Sequence, residues 1–487
     1  MDKNLKTISG RKIAFEKLTQ STIFNNKILI IGCGSIGTAL LPLLIKFIII
    51  NPSNITIIDK NENRFCKIQP YVIQGVKPTH IKITKENANK IIISDLKFAQ
   101  DDIIIDASYE INTDFMFELC EQYGISYINS SVEMWEKESI LKESDQTFYS
   151  RFKIIENKNK MLTIKKNNFI VSMGCNPGNV NIWLLYALEK INKQKDNLEY
   201  KSYAELAQKM GLKTIHISEK DTQIINKPKR ENEYVNSWAL DSVAWYDEAF
   251  SLLEISWGTH EKTLPQNYKS VISNEYQIIV ENIGCETFAY TYTPIGKHIL
   301  GMIIRHEEAY TICKNLTLKD INNKIIYKPS CYYVYKPNDS AIASTMEAFA
   351  NNNVAQSTKR LMTSEIVEGR DEVGCNLFFE DGDIYWIGSL LDIEEARSLF
   401  DNKHDDIINA TILQVVAGYI GGIFYLIELI NNKKYNGLVF PEDLPIKKIL
   451  NWTRPLLGPF GLMEVEDWEF ECADKNNLWQ LHDFLHV

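Results

Sequence analysis

The chain has 487 residues, of which 45% are hydrophobic and 24% are charged, and its formal net charge is −10. This composition is typical of a soluble globular protein with two or three domains. The negative charge argues against a nucleic-acid partner and suits a cationic one, although solubility alone explains it equally well. Nine cysteines without any C-x-x-C pair argue against a disulfide framework or a metal site. The first residues include no apolar signal region, and we therefore expect a cytoplasmic protein.

A glycine-rich turn organises the first part of the chain. Residues 27–31 predict a short buried strand, and Gly32, Gly34 and Gly37 follow it with the spacing G-x-G-x-x-G. The first glycine makes the tight turn, the second lets a pyrophosphate approach the backbone, and the third lets helix and strand pack closely. The helix that begins at Ser35 offers free N–H groups to the phosphates. The motif therefore predicts a dinucleotide site, to which Ser35 and Ile36 at the start of the helix also belong.

An acidic residue ends the second predicted strand, 55–59. Asp59 lies 22 residues after Gly37, close to the roughly 20 residues expected before a carboxylate that binds the ribose. A carboxylate here favours NAD over NADP, because a 2′-phosphate would meet a like charge. The alternative is a domain of the same fold that binds no nucleotide.

Strands and helices alternate over residues 27–130, which predicts an α/β protein with a Rossmann-type, doubly wound parallel sheet. The runs that indicate its strands are 27–31, 55–59, 80–84, 102–107 and 126–130. Alternating runs further along predict a second, α+β domain with a mixed sheet, at 213–221, 275–281, 286–293, 299–305 and 324–335. Helices are expected near 201–211, 238–253 and 340–351.

The domain organisation follows from these runs. We predict an NAD-binding Rossmann domain at 1–180 with a returning segment near 393–435. A substrate and dimerisation domain is predicted at 181–392, and a C-terminal extension at 436–487.

The carboxyl ends of the predicted parallel strands place several polar residues beside the cofactor. The fourth strand ends at Ala107 and is followed by Ser108 and Glu110, and the fifth is followed by Glu133. A turn with the sequence Asn-Pro-Gly begins at Asn176 after a further strand, and we expect it to cover the nicotinamide. The alternatives are solvated loop acids and a plain connection between strand and helix.

Aromatic residues are mixed with carboxylates in the second region. Glu219 ends an alternating strand, and Trp238 is followed by Glu248. Carboxylates pair with ammonium groups, and the face of a Trp ring attracts cations, so the pattern suits an organic cation. His306 ends another strand, and histidine moves protons near neutral pH. The alternatives are core tryptophans beside surface acids, and a structural histidine.

Residues 410–430 form an apolar run that is long enough to cross a bilayer. Its small residues, Ala417, Gly418, Gly421 and Gly422, suit the close packing of a buried helix. No second span, aromatic belt or flanking basic cluster supports insertion. We therefore expect a buried helix or a subunit interface and no membrane partner.

Nine strings occur in order along nearly the whole chain: GCGSIG, NSSVEMW, GCNPGNV, GLKTIHISEKDTQ, VNSW, SWGTHE, YKPSCYYVY, EIVEGRDEVG and YWIGSLLDIEEAR. Together they resemble the bacterial homospermidine synthase family, whose wider relatives are saccharopine dehydrogenase-like enzymes. The resemblance implies a homodimer with tightly held NAD that makes sym-homospermidine from two putrescines. Related diamines and polyamines are further expected partners.

The resemblance carries a set of candidate catalytic residues over by motif: Glu110, Glu133, Asn176, Glu219, Trp238, Glu248 and His306. In VNSW, Trp238 matches the family's cation–π residue. Asp247 rivals Glu248, because the distance from Trp238 to Trp257 is longer here than in the family pattern. The surroundings of Glu110 also depart from that pattern.

The implied reaction is an amine transfer. NAD takes a hydride from the carbon that bears one putrescine amine. The resulting imine loses ammonia, directly or after attack by the second putrescine, and the new C–N imine takes the hydride back. Glu219, Glu248 and His306 are the candidates for proton transfer, and Glu110 and Glu133 are expected to hold the distal ammonium. The alternatives are a net dehydrogenase of the saccharopine or carboxynorspermidine type and a non-catalytic NAD-binding module. Carboxylate substrates would call for Arg or Lys in the pocket, whereas the candidate residues are acidic and aromatic.

Overall fold

The computed structural model describes residues 7–135, 146–240, 243–352, 354–400, 404–470 and 472–486. Two large sheets with helices packed against them form the fold, which confirms the predicted class. We number the strands of these two sheets along the chain. The helices that the structure describes are α1 (Ile8–Leu18), α2 (Ser35–Phe47), α3 (Gln69–Ile73), α4 (Thr113–Tyr123), α5 (Phe148–Met161), α6 (Asn179–Gln194), α7 (Tyr203–Lys209), α8 (Val243–Ala249), α9 (Glu308–Asn315), α10 (Asp339–Ala350), α11 (Ile393–Ser398), α12 (Ala410–Asn431), α13 (Ile446–Thr453) and α14 (Leu481–Phe484).

The first sheet is parallel throughout, as its sequence pattern predicts. Its N-terminal strands are β1 (Ile28–Ile31), β2 (Ile55–Asp59), β3 (Lys77–His80), β4 (Ile103–Asp106), β5 (Ser126–Asn129) and β6 (Asn168–Ile170). β1 lies between β2 and β4, so the connections diverge there and open a crevice at the carboxyl ends of these strands. β1 and β4 are buried along their whole lengths because helices cover both faces.

The second sheet is mixed, which also agrees with the prediction. Its strands up to residue 392 are β7 (Leu212–Asp221), β8 (Leu252–Ser256), β9 (Ser270–Ser273), β10 (Gln277–Ile283), β11 (Phe288–Thr293), β12 (Lys297–Ile304), β13 (Ser330–Lys336), β14 (Arg370–Phe379) and β15 (Ile384–Asp392). β7 and β13 are parallel neighbours, and β14 pairs with β7 in the antiparallel sense. β7 is therefore a central strand with both of its edges paired.

The C-terminal part of the chain completes both sheets. β16 (Gly437–Val439) adds to β6 at the edge of the first sheet, and β17 (Phe460–Glu464) adds to β15 at the edge of the second. The predicted extension at 436–487 is thus divided between the two sheets. The domain boundaries given above stay a prediction.

Helix α12 is the predicted buried helix, and all but a few of its residues are buried. In the described part of the chain, it is the helix that is long and apolar enough to cross a membrane. A Cβ atom at Gly418 would lie 1.9 Å from the carbonyl oxygen of Gly174, and one at Gly422 would lie 2.4 Å from the side chain of Ile128. The small residues therefore let α12 approach β5 and the loop after β6.

Three predicted elements are wrong in their bounds. The run expected at 324–335 is divided into Ile325–Tyr327, which pairs with Leu318–Lys319 in a separate small sheet, and β13. The strand expected at 80–84 lies at Lys77–His80. The helix expected at 238–253 is limited to α8, and Leu252–Ser256 is a strand. The side chain of Asn236 accepts hydrogen bonds from the backbone N–H groups of Trp238 and Ala239 and holds this stretch in an irregular turn.

Candidate active site

A cavity of about 320 Å³ is lined by residues from the carboxyl ends of β1, β2 and β4 and from β7 and β13 of the second sheet. Open α/β sheets bind their ligands at such a switch point. The predicted site residues on its wall are Gly32, Gly34, Ser35, Ile36, Asp59, Ala107, Ser108, Glu110, Glu133, Asn176, Glu219, Trp238, Glu248 and His306. Gly37 is predicted as well, but it does not line the cavity.

The three motif glycines have different surroundings. A Cβ atom at Gly32 would lie 2.6 Å from the carbonyl oxygen of Ala107, and one at Gly37 would lie 1.8 Å from that of Gly32. Both glycines therefore permit close packing of the turn, and the φ angle of +100° at Gly32 also favours glycine. A Cβ atom at Gly34 would meet only the Arg64 side chain, at 3.9 Å. Gly34 leaves the start of α2 open, which fits a pyrophosphate.

Asp59 ends β2 with its carboxylate held in place. Its Oδ2 accepts hydrogen bonds from the backbone N–H of Cys33 at 2.7 Å and from Arg64 at 3.2 Å. Its Oδ1 accepts one from the N–H of Asn61 at 2.8 Å. Because a carboxylate offers about four acceptor sites, one remains for a ribose hydroxyl. The position and the remaining acceptor site fit the predicted cofactor role.

Glu219 lies on β7 between two donors. The Nδ2 of Asn176 donates to its Oε2 at 2.9 Å, and the hydroxyl of Tyr333 donates to the same oxygen at 2.8 Å. Burial raises the pKa of Glu219 to about 7, and the carboxyl of Asp221 adds to the rise, while the two donors oppose it. Glu219 can therefore exchange a proton near neutral pH.

Two further buried carboxyls stand behind Glu219. Asp221 follows two residues later on the same face of β7, and Asp371 is its partner across the β7–β14 pair. Burial raises the pKa of both groups. Asp221 accepts a hydrogen bond of 2.6 Å from the hydroxyl of Ser237, the residue before Trp238. The carboxyl cluster thus also anchors the loop that carries the tryptophan.

Trp238 forms an aromatic wall of the cavity. Its ring packs at 5.1 Å from Trp245 and in an edge contact at 5.7 Å from Tyr335. Several Lys and Arg side chains lie over aromatic rings in the described residues, but none of them lies over Trp238. The ring is thus held in place by aromatic neighbours, and its position on the wall suits contact with a cationic ligand.

The geometry separates the rivals Glu248 and Asp247. Glu248 lines the cavity, and burial raises its pKa to about 7, with the positive charge of His306 opposing the rise. Asp247 does not line the cavity and lies 3.6 Å from both Arg151 and Arg305. Its charge is therefore used in a structural ion network, and Glu248 is the better candidate.

His306 is paired with the carboxylate of Glu308 through its Nδ1. Burial alone would lower the pKa of His306, but Glu308 and, less strongly, Glu248 raise it to about 9. The imidazole is therefore protonated at neutral pH. Its ring lies 4.8 Å from that of Tyr333, which also bonds Glu219.

The two acids from the first sheet differ in their surroundings. Burial raises the pKa of Glu133 to about 8 against the positive charge of Arg151, and Ser131 donates a hydrogen bond to it. Glu110 has a φ angle of +70° and lies 3.9 Å from the Nζ of Lys60. Both line the cavity, but Glu110 faces a cation of the nucleotide domain.

Sequence reasoning missed the tyrosines of the site. Tyr109, Tyr333 and Tyr335 all line the cavity. Tyr333 and Tyr335 share one face of β13, and this alternation is readable in the string YKPSCYYVY. Glu308, behind His306, was missed because nothing in the sequence shows that its helix turns back onto the histidine.

Known proteins resemble the chain over almost its whole length. The family model described as the saccharopine dehydrogenase NADP binding domain matches residues 28–160, and the model of the saccharopine dehydrogenase C-terminal domain matches residues 174–459. Homospermidine synthase of Mesorhizobium japonicum is 28% identical over 481 residues, which cover 94% of this chain and 96% of that protein. Homospermidine synthase of Blastochloris viridis is 28% identical over 482 residues, covering 94% and 97%.

A solved structure of a homospermidine synthase also resembles the chain over almost its whole length. The crystal structure of homospermidine synthase from Legionella pneumophila in complex with NAD has a TM-score of 0.84 and 30% identity to this chain. The match covers 96% of this chain and 99% of that one. The C-terminal domain model alone matches more than half of the residues. The chain therefore belongs to the homospermidine synthase family, among the saccharopine dehydrogenase-like proteins.

Proposed function

We propose that this chain is a transferase that joins two putrescines to sym-homospermidine and releases ammonia. The observation that carries the proposal is an acidic and aromatic wall beside a dinucleotide cradle, in a chain that matches homospermidine synthases over almost its whole length. Net oxidation is not needed for this reaction, since the hydride removed from one amine-bearing carbon is returned to the product.

The cradle at the glycine turn fits NAD. Gly34 leaves room for the pyrophosphate, and Asp59 offers an acceptor to the ribose hydroxyls. When bound, NAD supplies the group that accepts the hydride and gives it back. The charge on Asp59 favours NAD, although the matched family model is described as NADP binding.

The charge on the cavity wall favours diamines over amino acids. Glu133, Glu219 and Glu248 line the cavity beside Trp238, whereas the Lys and Arg residues on its wall, Lys60, Arg64 and Lys82, all come from the segments after β2 and β3 of the first sheet. Putrescine carries two ammonium groups, which pair with carboxylates. A saccharopine-type dehydrogenase would need Arg or Lys beside each substrate carboxylate, and among the described residues that line the cavity these side chains come only from the segments after β2 and β3. This contrast supports the transferase over the net dehydrogenase.

The roles of the side chains follow from their environments. Glu219 and Glu248, with pKa values of about 7, accept the protons that the attacking amines lose. Glu133 and Glu110 line the cavity and hold the distal ammonium, whose positive charge lowers the pKa of Glu133 and so favours its ionised form. The imine formed during the reaction becomes cationic when protonated, and the face of Trp238 stabilises that charge as it develops.

We also propose a cytoplasmic homodimer. The structure leaves all nine cysteines unpaired, which suits a reducing compartment. The homodimer rests on the resemblance to the family, and light scattering of the purified protein tests it.

The experiment that tests the function is incubation with putrescine and NAD, with products identified by mass spectrometry. The proposal expects homospermidine and ammonia in equal amounts. Turnover of saccharopine or carboxynorspermidine in place of putrescine would make the chain a net dehydrogenase. Absence of turnover with any of these amines, in a protein that binds NAD, would leave a binding module.

A further inference from the structure

The role of Glu308 goes beyond the residues assigned above. Glu308 is the first residue of α9 and is only 1% exposed, and it does not line the cavity. Its Oε2 bonds the Nδ1 of His306, while its Oε1 is buried and has no hydrogen-bond partner among the described residues. Burying a carboxyl oxygen without a hydrogen-bond partner costs free energy. Among the described residues, the contact with the His306 ring is therefore the interaction that compensates for the burial of Glu308.

The contact also fixes which nitrogen of His306 is available. Because Nδ1 is used by Glu308, Nε2 is the ring nitrogen left for a molecule in the cavity that His306 lines. A carboxylate behind an imidazole orients the ring and stabilises its protonated form, as in other catalytic histidine–carboxylate pairs.

We infer that Glu308 is a positioning residue that holds His306 as an imidazolium with Nε2–H available to the cavity, and that His306 is the acid that protonates the departing amine. The inference rests on the proposed function, because it assigns the acid of that reaction. It leaves Glu219 and Glu248 as the bases, since a protonated imidazole cannot accept a proton.

The atoms and electrons of this step are supplied by the two putrescines, and the proton is supplied by His306. In the adduct formed when the second putrescine attacks, one carbon bears both the old and the new nitrogen. The imidazolium gives its Nε2 proton to the old nitrogen, and the C–N bond breaks with its electron pair on that nitrogen, which leaves as ammonia. The lone pair of the new nitrogen then forms the C=N bond. Neutral His306 regains a proton before the next turnover.

The other ionisable groups around His306 agree with a protonated ring. The groups that act on it from the elements packed around it are acids and one tyrosine: Glu307 directly before α9, Glu308 at the start of α9, Glu248 on α8, Glu219 on β7 and Tyr333 on β13. Burial opposes the charge, and the adjacent carboxylates outweigh burial, which gives the pKa of about 9.

The test is the titration of His306 by NMR of 13C-labelled histidine in the full-length protein, with the signal assigned from its loss in His306→Asn. In the wild-type protein, the His306 signal is expected to titrate near pH 9. In Glu308→Gln the titration is expected to move down by on the order of 1–3 units, because an opposite charge in contact is lost. The matched control is Glu442→Gln, which removes another buried carboxyl, bonded to Asn181 and away from the cavity.

Kinetics give the second readout. In Glu308→Gln, the alkaline limb of the kcat profile is expected to move down with the titration. A downward shift of about 1–3 pH units lowers the protonated fraction of His306 at pH 8, and with it kcat, by about 2-fold to 90-fold, while KM for putrescine changes little. A wild-type His306 that titrates at or below its ordinary value of about 6.5 overturns the inference even if the variant does not fold. An unchanged titration in folded Glu308→Gln also overturns it. The titration needs no turnover, so a chain that makes no homospermidine would fail the proposed function separately.

Discussion

The hydroxyl of Ser35 donates a hydrogen bond of 2.7 Å to the carbonyl oxygen of Trp238. Ser35 opens α2 directly after the glycine turn, and Trp238 forms the aromatic wall of the cavity. The bond therefore joins the nucleotide loop to the substrate wall across two domains of the family. It occupies the Ser35 side chain, which leaves the backbone N–H of the helix start for the phosphates.

Ser35→Ala should weaken putrescine use more than NAD binding. The loss of one neutral hydrogen bond costs about 0.5–1.5 kcal/mol, which corresponds to a rise in KM for putrescine of about 2–12-fold as the Trp238 loop loosens. The dissociation constant for NAD should change less than about twofold, because the backbone donor remains. Ser53→Ala, which removes an exposed hydrogen bond to Asn51, is the control. A variant that loses NAD affinity but keeps its KM for putrescine contradicts this account.

Asp59 should make the protein select NAD over NADP. A 2′-phosphate beside this buried carboxylate would cost a few kcal/mol, so we expect NAD to bind on the order of 100-fold more tightly. Asp59→Asn keeps the shape, removes the repulsion and frees Arg64 to meet the phosphate, so the preference should shrink. Fluorescence titration of both cofactors measures it. Equal or tighter binding of NADP by the wild-type protein would refute the assignment.

We expect the aromatic face of Trp238 to stabilise the cationic intermediate of the reaction. Trp238→Phe keeps a weaker π face and should retain partial activity, whereas Trp238→Leu should lose about thirtyfold more rate, since a cation–π contact in a dry site is worth about 2 kcal/mol. Thermal stability should fall similarly in both variants, because both leave gaps beside Trp245 and Tyr335. Equal kcat values in the two variants would show that Trp238 is structural.

The pH dependence should follow the buried groups of the cavity. Activity should rise near pH 7 as Glu219 and Glu248 lose their protons, and should fall near pH 9 as His306 loses its own.

The same groups set how stability depends on pH. The folded protein binds protons more tightly at all three groups than the unfolded chain does. Their contribution to stability is therefore complete below about pH 4.5, and it is lost as the pH rises through about 7 for the two glutamates and about 9 for His306. Thermal denaturation across this range measures the decline. A melting temperature that increases from about pH 6 to about pH 9 would contradict the assigned shifts.

The nucleotide half of the site was predictable because its chemistry is local in sequence. Gly32, Gly34 and Gly37 specify a turn, and Asp59 ends the next strand at the distance that the turn requires. The fold class followed from the alternation of strands and helices.

The substrate half was less predictable because it is assembled from distant elements. Glu248 and Asp247 are adjacent in sequence, and the structure separates them because Glu248 lines the cavity whereas Asp247 lies beside Arg151 and Arg305. At Trp238 the chain forms a turn whose N–H groups bond the side chain of Asn236, and the predicted helix is limited to α8. These contacts join residues that are distant in sequence, and the periodicity of the sequence therefore does not predict them.

The recycling of the hydride is the central claim, and isotope retention tests it most directly. The protein is incubated with putrescine that carries deuterium on both amine-bearing carbons and with far less NAD than putrescine, and the mass of homospermidine is measured. The account predicts that the product keeps all the deuterium of its two putrescines, that ammonia and homospermidine far exceed NAD, and that NADH gives only a small, constant absorbance. Loss of one deuterium from each product, or NADH that accumulates in step with product, would contradict it.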